Sequence, residues 1–241
     1  MQNSLYVALS SQIALERRLT TLADNVANSG TVGFRATQVK FEDVVTSLDS
    51  NSISFVSTGG TYLSAAKGGF RQTDNPLDFA IRGDAWFALQ TPGGTVMTRD
   101  GRFTMLDTGE LVSIEGYPVL DAGGAGIQLD PAGGEPAVGS DGFLRQNGQQ
   151  VGALGLFSFD PGTDFQRFGN SGVIATREPE PLVDRADAGV VQGFVEDSNV
   201  NPVLEMTRLI MVQRAFENAG ALIRDSETAF DDAIKTLGSK G

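Results

Sequence analysis

Neither cysteine nor histidine occurs among the 241 residues of this chain. The absence of cysteine excludes disulfides and thiolate nucleophiles. The absence of histidine removes the common zinc and copper ligand and the side chain that titrates nearest to neutral pH. Long apolar runs are missing too, because no stretch approaches the ~18 consecutive apolar residues of a membrane span. We therefore expect no cofactor, no metal and no membrane-spanning segment.

Basic side chains are scarce relative to acidic ones. The chain has 18 lysines and arginines against 30 aspartates and glutamates, which gives a formal charge of −12. Such a charge repels phosphate backbones and anionic lipid headgroups at long range, so nucleic acid is not an expected partner. The first residues, MQNSLYVALSSQIALERR, also lack the basic, apolar and small-residue regions of a cleaved secretory signal.

Glycine and proline divide the sequence into three parts. Residues 1–45 contain two glycines and no proline, residues 46–195 contain 25 glycines and eight prolines, and residues 196–241 contain three and one. This partition predicts an α+β protein. We expect an N-terminal helix with an extended segment in residues 1–45, a central β-rich domain in residues 46–195 and a C-terminal helix in residues 196–241.

Apolar residues near the N-terminus recur at alternating spacings of three and four. The positions are Leu5, Ala8, Gln12, Leu15, Leu19, Leu22 and Val26, with Gln12 as the polar interruption. This heptad pattern predicts an amphipathic helix with a packed seam. The pattern stops at Asn28 and Gly30, residue types that end helices. Alternation over residues 37–42 then predicts a half-buried strand.

A similar rhythm runs through the C-terminal part. Asn201 and Pro202 predict its start, because proline is favoured in the first turn of a helix. The seam positions are Met206, Leu209, Gln213, Phe216, Gly220, Ile223, Glu227, Phe230, Ile234 and Leu237. A heptad shows that a helix packs without showing against what. Pairing of the two ends within one chain and bundling with neighbouring molecules therefore both stay open.

The central part alternates short apolar runs with turn signals such as Asp100-Gly101 and Asn147-Gly148, which predicts an all-β domain. Its carboxylates could include a glycosidase-like acid pair. Most of them stand beside glycine, however, where aspartate usually accepts backbone hydrogen bonds in turns. The segment 121–130 lacks the spacing of a calcium loop, and no Walker A sequence is present. An acidic carbohydrate-active enzyme or a glycan- or peptidoglycan-binding protein is the alternative to a non-enzymatic assembly protein.

Two motifs at opposite ends of the chain narrow this choice. Residues 22–35, LADNVANSGTVGFR, closely resemble the signature of the flagellar rod and hook family, and residues 200–223, VNPVLEMTRLIMVQRAFENAGALI, resemble the closing helix of that family. Residues 68–94 and 97–121 are similar to its shared central strand region. Within the family, the chain length and the wording of the central block favour a proximal rod protein, with the distal rod protein as the runner-up. The hook protein is considerably longer, and the other proximal rod proteins lack most of this central domain.

The resemblance implies a structural subunit of the bacterial flagellar basal-body rod rather than an enzyme. The terminal helices would form the inner coiled-coil layer of a drive shaft that carries torque from motor to hook, with the β domain outside. Other copies, neighbouring rod proteins and the flagellar type III export apparatus would be its partners, with no small-molecule substrate. The implied location is the rod crossing the periplasm, reached without a cleaved Sec signal.

The resemblance and the two seams also indicate which residues make assembly contacts. We expect the Asn25–Phe34 segment to redirect the chain, with Phe34 anchored on a neighbouring surface. We further expect the terminal helices to become ordered only on assembly. The residues expected to bind partners are Leu15, Leu19, Leu22, Asn25, Val26, Asn28, Thr31, Gly33, Phe34, Asn201, Pro202, Met206, Leu209, Gln213, Phe216, Ile223, Phe230 and Ile234.

Overall fold

A computed structural model describes residues 2–48, 51–139, 141–182 and 188–238 of the chain. These residues form two units. The first, called the helical unit here, contains residues up to 27, residues 37–62 and residues from 201 onward. The second, the β unit, contains residues 28–36 and 63–200. The three-part division drawn from composition stays a prediction, since the units are defined by contacts.

The helical unit is built on two helices, α1 (Gln2–Ala27) and α2 (Pro202–Gly238), and on two paired strands, β1 (Thr37–Leu48) and β2 (Asn51–Leu63). The helices pack along each other. They run antiparallel, because Asn25 contacts Glu205 while Gln12 approaches Gly220. The two ends of the chain therefore pair within one molecule. Of the two possibilities that the heptads left open, pairing within one chain accounts for this shared face, and bundling with neighbouring molecules stays a prediction.

The helix boundaries follow the sequence signals. Pro202 is the first residue of α2, and the side chain of Asn201 accepts a hydrogen bond of 3.1 Å from the backbone N–H of Leu204, which caps the helix. At the other end, α1 stops at Ala27, immediately before Asn28. The predicted helix start and the predicted helix stop are both confirmed.

The β unit consists of short strands joined by tight turns. Over the described residues its strands are β3 (Phe70–Gln72), β4 (Phe79–Arg82), β5 (Phe87–Thr91), β6 (Gly94–Thr98), β7 (Phe103–Met105), β8 (Leu111–Ser113), β9 (Ala137–Val138), β10 (Phe143–Gln146), β11 (Gln149–Ala153), β12 (Phe157–Ser158), β13 (Arg167–Phe168), β14 (Gly172–Ile174), β15 (Glu180–Pro181), β16 (Gly189–Gln192) and β17 (Phe194–Glu196). The β-rich middle of an α+β protein is thereby confirmed.

A four-stranded sheet in the order β13-β14-β6-β5 forms the largest layer of the β unit. The pairs β16-β4, β17-β3, β7-β8 and β12-β15 and the three-stranded sheet β11-β10-β9 complete it. Phe79, Phe87 and Phe103 belong to its hydrophobic core, where the ring of Phe103 contacts the rings of the other two. The turn between β10 and β11 is the predicted Asn147-Gly148, both with positive φ, as a two-residue hairpin turn requires.

Candidate assembly surface

One face of each terminal helix is covered by the other helix. On α1 this face contains the buried Ala14 and Leu22, and the predicted Leu15, Leu19 and Val26 at its edge are partly buried. On α2 it is made by positions that follow the 3.6-residue period. The covered α2 residues are Glu205, Leu209, Val212, Phe216, Ala219, Gly220 and Ile223.

The covered face of α2 departs from the predicted heptad at two positions in the first half of the helix. Leu209, Phe216 and Ile223 belong to it as expected, whereas Met206 and Gln213 are exposed. A strict 3.5-residue seam drifts by about 20° per heptad around a straight helix, so Val212 takes the place expected for Gln213. The sequence identified the correct helix and most of its covered face, with Met206 and Gln213 as the exceptions.

The opposite side of α2 carries a second apolar face, which we call the outer face of α2. It lies at the start of the helix, and Val203 and Ile210 there are 73% and 51% exposed. Because 3.6 residues make one turn, these positions point away from the covered Glu205, Leu209 and Val212. The outer face consists of Val203, Leu204, Met206, Ile210 and Met211.

Two further exposed apolar sites lie on the helical unit. On α1, Leu9 and Ile13 are exposed one turn apart. On α2, Ile234 is exposed because the antiparallel register carries the 37-residue α2 past the 26-residue α1. The side chain of Phe230, another predicted contact, lies outside the described residues. Helices of soluble proteins seldom leave so much apolar surface in water unless it is bound by something.

Asn25 fastens the end of α1 to the start of β1. Its side-chain amide donates a hydrogen bond to the carbonyl of Thr37 and accepts one from the N–H of Thr37, both at 2.9 Å. The same nitrogen lies 3.5 Å from a carboxylate oxygen of Glu205, whose other oxygen accepts a hydrogen bond from Arg208. Asn25 is only 3% exposed. It therefore acts inside its own chain.

Residues 28–36 form a connector that belongs to the β unit. It starts with a turn in which both the N–H and the hydroxyl of Thr31 donate to oxygens of Asn28 at 3.1 Å. Gly33 follows with a φ of 70°, and a Cβ there would lie 2.2 Å from the backbone nitrogen of Asp100. Both the left-handed backbone and this close approach require glycine.

Phe34 is 2% exposed and lies in the β unit of its own chain. The guanidinium of Arg167 stacks over its ring at 4.3 Å from the centroid and donates a hydrogen bond to the carbonyl of Arg35. This ring was expected to anchor the turn on a neighbouring surface, and in the structure that surface belongs to the same chain. A role of Phe34 in binding partners stays a prediction. The ring is thus an internal anchor of the connector.

Arg35, the residue after Phe34, belongs to a buried ion cluster. Glu196 forms an ion pair with Arg35 at 3.0 Å and accepts a hydrogen bond from Nε of Arg99 at 2.7 Å, and both Glu196 and Arg99 are 1% exposed. Arg99 also donates to the carbonyls of Ile81, Gly83 and Ala85. Burial lowers the pKa of the Arg35 guanidinium, and the Glu196 carboxylate partly opposes this effect.

Sequence reasoning did not single out Arg99 or Glu196. Arg99 directly follows β6, and Glu196 is the last residue of β17. A charged residue attached to a buried run is a weak signal, because strand ends commonly reach solvent. Among the residues that the structure describes, no group of three or more acidic side chains is placed to hold a metal ion, and no helix is long and apolar enough to cross a membrane.

Three family models match successive parts of the chain. They are the flagella basal body rod protein model at residues 5–35, the flagellar hook protein FlgE/F/G D1 domain at 80–145 and the flagellar basal body rod FlgEFG protein C-terminal model at 191–236. Over 240 residues, covering 100% of both chains, the sequence is 68% identical to the flagellar basal-body rod protein FlgF of Mesorhizobium japonicum. The chain belongs to the flagellar basal-body rod protein family.

Other rod proteins support the same placement. The FlgF protein of Rhizobium meliloti is 59% identical, with 99% of each chain covered. The FlgG rod protein of Bacillus subtilis is 30% identical, with 97% of this chain and 98% of that protein covered. The predicted resemblance is therefore confirmed, and the similarity to these FlgF rod proteins exceeds that to the FlgG rod protein. These relatives are named as rod proteins rather than as enzymes.

Proposed function

We propose that this chain is a structural subunit of the flagellar basal-body rod and that it polymerises through its terminal helices. The observation that carries the proposal is the outer face of α2, which stays exposed after α1 has covered the opposite side. Burying a large apolar side chain fully contributes about 1.5–3 kcal/mol, so several such residues supply a strong driving force for association.

The arrangement of apolar surface suits an open array. Leu9 and Ile13 on α1 and the outer face of α2 are two different patches of one helical unit. A rod requires heterologous contacts, in which one patch of a subunit meets a different patch of the next. Copies of this chain and neighbouring rod proteins are the partners that we propose for these patches.

The finer features of the proposal come from family membership. We place the chain in the proximal rod, with its helices in an inner coiled-coil layer that transmits torque. We also propose that it reaches the periplasm through the flagellar type III export apparatus. Passage through a narrow channel favours an extended chain, so α1 and α2 would pair after export.

Charge substitutions on the outer face test this proposal. We expect Ile210→Glu, expressed in cells that lack the native protein, to abolish motility and to be absent from purified basal bodies on immunolabelling. Ile114→Glu is the matched control, because Ile114 is 57% exposed in the β unit. Normal motility and rod labelling with Ile210→Glu would contradict assembly through this face.

The carbohydrate-active alternative gains no support from the described residues. Three aspartates of the β unit are engaged in turns, as the sequence predicted. Asp121 accepts hydrogen bonds from the N–H groups of Gly123 and Ala125 at 2.8 and 2.9 Å. Asp130 and Asp160 each accept one from the N–H group two residues later. These aspartates shape loops, as turn chemistry requires.

A further inference from the structure

Three segments of the β unit meet where the chain passes between the two units. Residues 33–36 lie on the outward path from α1, residues 64–66 follow the return from β2, and residues 196–199 precede α2. Asn199 joins all three, because its side-chain oxygen accepts a hydrogen bond from the N–H of Ala36 and its nitrogen donates one to the carbonyl of Ala66, both at 2.7 Å. We call this set of three segments the Asn199 clamp.

Backbone hydrogen bonds reinforce the clamp. The N–H of Gly33 donates to the carbonyl of Glu196 at 2.7 Å, and the N–H of Asn199 donates to the carbonyl of Phe34 at 3.3 Å. The N–H of Ser64 donates to the carbonyl of Ala36 at 2.8 Å. The chain leaves the β unit through residues 37–62 and at its two ends. These hydrogen bonds therefore join the segments at which it leaves and re-enters the β unit.

The direction of the paired segments decides how they respond to tension. Gly33 lies opposite Glu196 and Ala36 lies opposite Asn199, so the segments 33–36 and 196–199 run parallel. A pull through α1 enters at the N-terminal end of the first segment, and a pull through α2 enters at the C-terminal end of the second. Parallel segments loaded at opposite ends are sheared, and their hydrogen bonds share the load together instead of opening one after another.

We propose that Asn199 is a positioning residue. It holds the clamp so that force passes directly from the segment after α1 to the segment before α2. Tension applied to the helices is carried across the clamp and does not reach the rest of the β unit until the clamp breaks. The biological meaning of this inference rests on the proposed function, since a rod subunit works under load. The mechanical statement itself concerns the single chain.

Single-molecule force spectroscopy on the full chain, held at its two termini, tests the inference. The chain has no cysteine, so one cysteine added at each end gives unique attachment points. At constant force we expect Asn199→Ala to shorten the lifetime of the β unit at least about fivefold, because two side-chain hydrogen bonds are lost. Asn199→Asp keeps the acceptor for Ala36 and loses the donor to Ala66, and we expect it to fall between Asn199→Ala and the unsubstituted chain.

Gln192→Ala is the matched control. The Gln192 amide also bridges three backbone segments of the β unit, since it donates to the carbonyls of Pro76 and Pro136 and accepts from the N–H of Val138. It lies outside the clamp, so we expect Gln192→Ala to lower stability in denaturant while leaving the lifetime under end-to-end force unchanged. Equal lifetimes for Asn199→Ala and the unsubstituted chain, or an equal loss with Gln192→Ala, would overturn the inference. Either result would leave rod assembly untouched.

Discussion

Replacing Glu196 by glutamine should destabilise the β unit severely. Glu196 is the carboxylate that faces both Arg35 and Arg99 in the buried ion cluster, and its oxygen Oε1 also accepts a hydrogen bond of 3.2 Å from the N–H of Gly68. Glutamine keeps the shape but removes the negative charge. In either orientation its NH₂ group must also face one of the two guanidinium groups, donor against donor.

The expected magnitude follows from the burial of the partners. Removing one member of a buried ion pair costs about 3–5 kcal/mol, because the remaining charge stays buried without compensation. For a domain of this size, each kcal/mol shifts the unfolding midpoint by roughly 2–4 °C. We therefore expect the midpoint of the β unit to fall by roughly 6 °C or more. A change of this size is a large share of the roughly 5–15 kcal/mol that stabilises a typical domain.

The single tryptophan makes the measurement selective. Trp86 lies in the β unit with its ring edge-on to Phe159, so its fluorescence reports the unfolding of that unit. Asp197→Asn is the control, because Asp197 pairs with Arg71 at a largely exposed site and such pairs contribute about 0–1 kcal/mol. If Glu196→Gln moved the Trp86 transition no more than Asp197→Asn does, the assignment of the cluster as a central support of this unit would be wrong.

Three other substitutions test the stability of the β unit and of the helical unit separately. Phe34→Ala should lower the free energy of unfolding of the β unit, followed by Trp86 fluorescence, by about 3–5 kcal/mol. An unshifted Trp86 transition would instead favour a contact of this ring with another molecule. Asn25→Asp should lower the free energy of unfolding of the helical unit by about 1–3 kcal/mol, followed by circular dichroism, because the donor to Thr37 is lost and a second carboxylate is placed beside Glu205; an unchanged unfolding transition would contradict this contact. Gly220→Ala should raise the melting temperature of the helices through a gain of up to about 1 kcal/mol, because a Cβ there meets nothing closer than 3.6 Å; a lower melting temperature would show that the glycine is needed.

The sequence predicted those parts of the structure that depend on local chemistry. Asn201 and Pro202 begin α2, and Asn147-Gly148 closes a hairpin, because a cap and a left-handed turn are properties of a few adjacent residues. The α+β class followed from the distribution of glycine and proline. These features need no knowledge of which distant segments meet.

Features that depend on distant contacts were predicted less well. The heptad identified α2 as a packed helix but missed Val212, since the face that is covered depends on the partner helix. Phe34 was predicted to anchor the turn on a neighbouring surface, and its side chain packs within the same chain, a distinction that spacing does not contain. Glu196 lies 161 positions after Arg35, and no local pattern connects them.

The connector 28–36 also determines where the chain can be cut. A fragment limited to residues 46–195, the boundaries suggested by composition, would end one residue before Glu196 and would omit Phe34. It would leave Arg99 enclosed without its counter-ion and open a hole the size of a phenyl ring. A free-standing version of the β unit should instead splice residues 28–36 to residues 63–200. Any fragment that contains the β strands therefore has to include the connector that follows α1.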